Sequence, residues 1–210
     1  MYSYILWATT INGGDSIAAT KAKKSCPATF FRGQIATNRK KFHNFELLYP
    51  QNLHTMANLS VGDMAPNFEG KTQDGTTLSL DDLKGGCTVL YFYPKDNTSG
   101  CTLEAKSLRD GKEELAARGY RIVGVSPDSE RSHQNFCTKH ELNFTLIADT
   151  DRSICEAFGV WVEKSMYGRK YMGVARKTFL LDEEGRITHI FDKVKTSDHY
   201  HQIINELDKK

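Results

Sequence analysis

Cys101 stands where a strand-like run gives way to a helix-like one, a position from which a cysteine could do redox chemistry. The segment reads Tyr93-Pro94-Lys95-Asp96-Asn97-Thr98-Ser99-Gly100-Cys101-Thr102-Leu103-Glu104. The first-turn amides of a helix lack intrahelical partners and carry partial positive charge, so they favour an anion. For a cysteine that anion is the thiolate, the nucleophilic form. A free thiol of pKa ~8.5 is about 3 % ionised at pH 7, so full ionisation raises the nucleophile's concentration only about thirty-fold. Intrinsic nucleophilicity falls as the pKa falls, and a helix end supplies only ~0.3–2 kcal/mol. Fast chemistry at the sulfur therefore calls for donors that also hold the substrate atoms on which charge develops as a bond breaks. Thr98 could bring a hydroxyl, and a guanidinium from elsewhere in the chain the rest. An isolated cysteine is usually a small buried hydrophobe; the coincidence of Pro94, Thr98 and Cys101 with a strand before and a helix after favours the reactive reading.

The chain has five cysteines, Cys26, Cys87, Cys101, Cys137 and Cys155, and no C-x-x-C pair. The odd number and wide spacing suit neither a disulfide framework nor a zinc site, and fit a reducing compartment with one or two reactive thiols. Cys87 begins an apolar strand and Cys155 precedes Ala157-Phe158 in an apolar helix, so both read as structural; Cys26 is assigned nothing. His199-x-His201 lacks a third ligand and reads as a solvated helix face. Gly85-Gly86 lacks the phosphate-binding fingerprint and reads as a turn.

The elements that must position Cys101 follow from the apolar pattern. Cys87–Tyr93 and Tyr120–Val125 are β-branched and aromatic runs of strand length, and Phe144–Ala148 is a third. Helices are expected over Cys101–Arg118 with Gly119 as its stop, from a Ser126-Pro127 start through about Glu141, over Asp151–Phe158, and over Ser197–Leu207. Thr178–Leu181 and Ile187–Phe191 flank Asp182-Glu183-Glu184-Gly185, a hairpin turn. Strands alternating with helices and closing in a hairpin imply an α/β fold with a mixed central β-sheet flanked by helices.

At 39 % apolar and 26 % charged, the 210 residues have the composition of a soluble globular protein. No stretch approaches the ~18–20 apolar residues of a membrane span. Charge is uneven: residues 1–55 carry seven Lys/Arg against Asp15 and Glu46. The remainder is mildly acidic, with no basic stripe or aromatic platform for nucleic acid, and Arg39-Lys40-Lys41 is too short to supply one. Residues 1–55 show no sustained apolar period and are expected to be an extension without a fold, either a mis-assigned start before Met56 or a basic, acid-poor targeting segment. Residues 56–210 are expected to form the functional domain.

The segment Pro94…Thr98…Cys101 resembles the peroxiredoxin active-site motif. The likeness continues through Val61-Gly62-Asp63-x-Ala65-Pro66-x-Phe68, Asp74-Gly75, Leu78-x-Leu80, Asn143-Phe144, Asp149, Phe158-Gly159-Val160-Trp161 and Phe179-Leu180-Leu181-Asp182. The group it resembles most is the bacterioferritin comigratory protein, or peroxiredoxin Q, subfamily. The resemblance implies a thioredoxin-like fold and a thiol peroxidase acting on hydrogen peroxide and organic hydroperoxides, with a role in antioxidant defence and redox homeostasis. It makes Cys101 the peroxidatic cysteine, Thr98 the hydroxyl bonding thiolate and peroxide, Pro94 the shield of the sulfur, and Arg176 the guanidinium that pairs with both. Glu104 would orient that arginine. Many members carry a resolving cysteine five residues after the peroxidatic one, where this chain has Lys106. Cys137 matches the alternative resolving position, which implies an intramolecular disulfide with Cys101 after sulfenic acid forms. The resemblance further implies thioredoxin or a similar dithiol as reductant, no cofactor, no membrane, a monomer and a cytoplasmic location, with organelle import through residues 1–55 as the alternative. Two other readings are a dithiol–disulfide oxidoreductase, disfavoured without C-x-x-C, and a non-enzymatic redox sensor switched at Cys101.

Overall fold

Cys87–Phe92 (β3) is buried along its whole length, and the rest of the fold is arranged around it. The computed structural model describes residues 58–166 and 168–209; residues 1–55, with Cys26, lie outside them. β3 is preceded by the hairpin of Glu69–Thr72 (β1) and Thr77–Ser79 (β2) and the short helix Leu80–Leu83 (α1). After it come Ser99–Asp110 (α2), Lys112–Ala117 (α3), Tyr120–Ser126 (β4), Glu130–His140 (α4), Thr145–Ala148 (β5) and Ser153–Ala157 (α5). Trp161–Met166 (β6) and Arg169–Val174 (β7) follow, then Lys177–Leu181 (β8), Ile187–Phe191 (β9) and His199–Leu207 (α6).

Seven strands form one sheet in the order β2-β1-β5-β4-β3-β8-β9. β4 pairs in parallel with β3 and β5, while β8 runs antiparallel to β3 and β1 to β5, so the sheet is mixed. Alternate side chains of β3 point to opposite faces. Val89 and Tyr91 join an apolar layer with Leu108 of α2, Leu115 of α3, Phe136 of α4 and Ile203 of α6. Leu90 and Phe92 join the other layer, with Leu80 and Leu83 of α1 and Ile154 of α5. Helices on both faces of a mixed sheet match the expected thioredoxin-like arrangement.

Three local expectations change. The helix foreseen over Cys101–Arg118 starts at Ser99 and breaks at Gly111 into α2 and α3. A Cβ at Gly111 would lie 2.2 Å from the Tyr200 ring of α6, so the close approach of α6 requires glycine there. The N-cap of α4 is Ser129, whose hydroxyl accepts from the Ser132 amide, and not Ser126; Ser126 ends β4 and spends its hydroxyl on Asp128 at 3.0 Å. Finally, β6 and β7 form a separate two-stranded sheet that the apolar pattern does not announce. The hairpin turn after β8 is as read: Asp182 Oδ1 accepts from the amides of Glu184 and Arg186, and Gly185 takes φ +84°. Among the described residues no helix is long and apolar enough to cross a membrane.

Candidate active site

The chain leaves β3 at the buried Tyr93 and turns through a loop held from several sides. Tyr93 Oη donates to Asp96 Oδ1 at 2.8 Å, and the Asp96 amide donates to Asp128 Oδ2 at 2.7 Å. Asn97 sits at φ +57°, a left-handed conformation that asparagine tolerates better than most residues. Thr98 is the N-cap of α2 with extended backbone, and its carbonyl accepts the first helical bond from the Thr102 amide at 2.9 Å. Its hydroxyl does not cap the helix but donates to the Lys95 carbonyl at 3.1 Å. With that proton committed, the lone pairs of Thr98 Oγ1 are what it can offer a further partner.

Cys101 lies in the first turn of α2, only 1 % exposed. Arg176, in the connection between β7 and β8, donates from Nη2 to Cys101 Sγ at 3.1 Å. Its Nη1 donates to the carboxylate of Glu104, which lies one helical turn beyond Cys101 on the same face of α2. One guanidinium thus spans two acceptors, as its planar fork allows and an ammonium does not. Burial pushes the Glu104 carboxyl up to about 7 against the opposing charge and hydrogen bond of Arg176; its Oε1 has no hydrogen-bond partner among the described residues. Burial works against the charged form of Arg176 too, but Glu104 and Cys101 outweigh it and hold the guanidinium above its ordinary range.

Sequence reasoning passed over a second cation. Lys164 of β6 is half-buried, donates to the Val174 carbonyl at 2.5 Å, and is pulled below the usual lysine range by burial and by Arg176, with Cys101 opposing. Its electrostatic reach to both site residues follows from the β6–β7 hairpin, which the sequence pattern also missed. Pro94 is half-buried at the start of the loop.

The other thiols separate by layer. Cys137, half-buried on α4, packs against the same apolar layer that contains Cys101. Burial, helped by the charges of Asp96 and Asp74, pushes its thiol up to about 11. Cys155 is fully buried in the opposite layer, across the sheet, and burial with Asp149 beside it raises it much further. Cys87 is buried at the start of β3. The two histidines of the last helix part company: His201 is exposed beside Asp198 at 2.5 Å. His199, expected on a solvated face, is buried against Thr178 Oγ1 at 2.8 Å and Gln202 Oε1 at 3.1 Å.

Comparison with known proteins gives the geometry its context. Residues 61–190 match the model of the AhpC/TSA family. Peroxiredoxin Bcp of Escherichia coli K12 is 45 % identical over 149 residues, covering 71 % of this chain and 96 % of the relative. Peroxiredoxin Bcp of Bacillus subtilis is 46 % identical over 149 residues, covering 71 % and 95 %. Among solved structures, the bacterioferritin comigratory protein of Xanthomonas campestris, described for its alkyl peroxide reduction activity, aligns with TM-score 0.63 at 38 % identity over 67 % of this chain and 89 % of that one. Two structures of Xanthomonas campestris peroxiredoxin Q, each 39 % identical over 67 % of this chain and 89 % of that one with TM-scores of 0.64 and 0.63, each carry serine at one cysteine, and the two positions are as far apart as Cys101 and Cys137. The chain belongs to the AhpC/TSA family, in its Bcp or peroxiredoxin Q branch, and is a thiol-dependent peroxidase.

Proposed function

We propose that Cys101 is the sulfur that attacks the hydroperoxide, with Arg176 and Thr98 handling its two oxygens. The thiolate displaces alkoxide or hydroxide from the O–O bond, becoming sulfenic acid while the leaving oxygen takes a proton to give alcohol or water. The observation that carries this reading is the Arg176 Nη2 to Cys101 Sγ bond of 3.1 Å at the start of α2. The same guanidinium neutralises charge building on the peroxide, which is where electrostatic stabilisation acts on the rate. Thr98, its own proton held by Lys95, accepts from the peroxide hydroxyl and so aligns the O–O bond with the sulfur. Pro94 closes one side of the pocket against water.

Cys137 resolves the sulfenic acid: its sulfur attacks Cys101, a disulfide forms and water leaves. Placement in the layer of Cys101, and the matching cysteine separation in the Xanthomonas protein, support Cys137 over Cys155. A disulfide needs Cα atoms about 4.4–6.8 Å apart; because the two cysteines belong to separate helices, on this reading the first turn of α2 unwinds to bring the sulfurs together. Burial pushes the Cys137 thiol up to about 11, so the resting protein holds it as the neutral thiol at pH 7. A thioredoxin-type dithiol then takes up the oxidising equivalents and returns both thiols, so the cycle is catalytic and serves antioxidant defence.

Peroxide consumption coupled to thioredoxin, thioredoxin reductase and NADPH tests the cycle. Cys101→Ser is expected to abolish turnover, and Cys137→Ser to be oxidised once and recycle poorly. Normal turnover by Cys137→Ser would move resolution to an external thiol.

A further inference from the structure

The loop before Cys101 and the helix that carries Cys137 are joined by a buried polar cluster that the peroxide chemistry does not use. Asp96, in the loop, and His133, on α4, are both buried, with His133 Nδ1 2.9 Å from Asp96 Oδ2. The other ring nitrogen, Nε2, lies 3.1 Å from the Ile147 carbonyl of β5. Both ring nitrogens are thus held by oxygen atoms of other elements, one from the loop and one from the sheet. Ser132 Oγ donates to Asp96 Oδ2 at 2.7 Å and Tyr93 Oη to Oδ1 at 2.8 Å, so the carboxylate is well satisfied. Burial acts to raise the Asp96 carboxyl, but the hydrogen bonds and charge of His133, with Ser132 and Tyr93, hold it below the usual range. A second tie, His140 Nε2 to Asn97 Oδ1 at 3.2 Å, joins the far end of α4 to the same loop. Arg109 Nη1 donates to the His140 carbonyl at 2.8 Å and binds α4 to α2 behind the moving turn.

Cys137 stands one helical turn after His133, on the same side of α4. We infer that the Asp96–His133 pair is a positioning clamp that fixes α4 against the loop and presents Cys137 as a stationary target for the sulfenic acid on Cys101. The clamp grips Asp96, before the helix start, and leaves Ser99-Gly100-Cys101 outside it, so that turn can unwind while both its anchor and its target stay in place. It acts on the resolving step and not on the attack on peroxide, because the loop keeps its bonds to Tyr93 and Asp128 without His133. The inference rests on resolution by Cys137. Fixing the target raises the effective concentration of one sulfur at the other and shortens the time during which sulfenic acid is open to a second peroxide, which would carry it to sulfinic acid.

The full-length protein with His133→Gln, and the milder Ser132→Ala, tests this by rapid mixing with hydrogen peroxide, timed acid quench and mass spectrometry of the sulfenic, disulfide and sulfinic forms. Sulfenic acid is expected to form within about twofold of the wild-type rate in both, since neither residue touches the sulfur or the peroxide. Disulfide formation is expected to slow about tenfold or more in His133→Gln and about two- to threefold in Ser132→Ala, with sulfinic acid rising in the same order. A role confined to stability would slow both steps together or neither, and either result overturns the clamp. Should His133→Gln fail to fold, Ser132→Ala decides by the same two rates. Cys137→Ser runs in parallel. If it loses the disulfide while the clamp variants keep wild-type kinetics, the clamp falls and Cys137 stands; if it still forms an intramolecular disulfide, both fall.

Discussion

Glu104 is wholly buried, yet it shares Arg176 with the Cys101 sulfur, and the two demands oppose each other. Burial holds its carboxyl at about 7 instead of 4.5. The folded protein therefore keeps a proton that the unfolded chain releases between those values, and stability falls as pH rises through that window. Relative to Glu104→Gln, the wild-type unfolding free energy in urea is expected to drop by about 3 kcal/mol from below pH 4.5 to above pH 7; a pH-independent difference contradicts the assignment. Arg176→Lys keeps the charge but loses the fork that reaches two acceptors. The second-order rate constant for Cys101 oxidation, followed by stopped flow, is expected to fall about a hundredfold. The placement of Cys101 and Thr98 at the start of α2 was legible because both lie in one contiguous loop-to-helix segment. Arg176 was legible only through resemblance, since a lone arginine between strands carries no local signal. Asp96 was in plain view, but its partner His133 comes from another element, and pairing across elements leaves no mark in spacing.

Secondary structure was readable where burial is continuous, as in β3, or nearly so, as in β4, and unreadable where tertiary contact decides. The α2–α3 break is such a case, because Gly111 is set by the Tyr200 ring and not by any helix-stop pattern. Gly111→Ala is expected to destabilise the fold by about 1–3 kcal/mol, read as a lower urea midpoint with unchanged slope. The β6–β7 hairpin was missed because most residues of β7 are exposed on both faces, which removes the apolar alternation that marks a strand. His199, at the start of α6, was misplaced for the converse reason: its polar neighbours suggested solvent, while the fold packs it onto β8. Burial lowers its imidazole from 6.5 to about 4, so the unfolded chain binds a proton that the fold excludes. Its contribution to stability is complete above pH 6.5 and is lost as pH falls towards 4. Wild type is expected to lose about 3 kcal/mol more than His199→Gln across that window; equal losses in urea titrations at both pH values contradict this.

At the scale of the molecule, the sheet is a partition. Cys101 and Cys137 share one apolar layer, and Cys155 lies within the other. Peptide mapping of peroxide-treated protein without reductant is therefore expected to return a Cys101–Cys137 link; a Cys101–Cys155 link contradicts the layer argument, since it requires a sulfur to cross a sheet. The mixed α/β architecture was legible from alternating runs alone, but which thiols share a layer was not, because layer membership depends on strand order. The proposed chemistry belongs to one sulfur, held beside Arg176 at a helix start. Treating Cys137→Ser with one equivalent of hydrogen peroxide, trapping sulfenic acid with a dimedone reagent, and locating the adduct by peptide mass spectrometry identifies the sulfur that reacts first. The adduct is expected on Cys101 and is expected to vanish in Cys101→Ser; an adduct on Cys155, or one that persists when Cys101 is replaced, would place the chemistry on another sulfur.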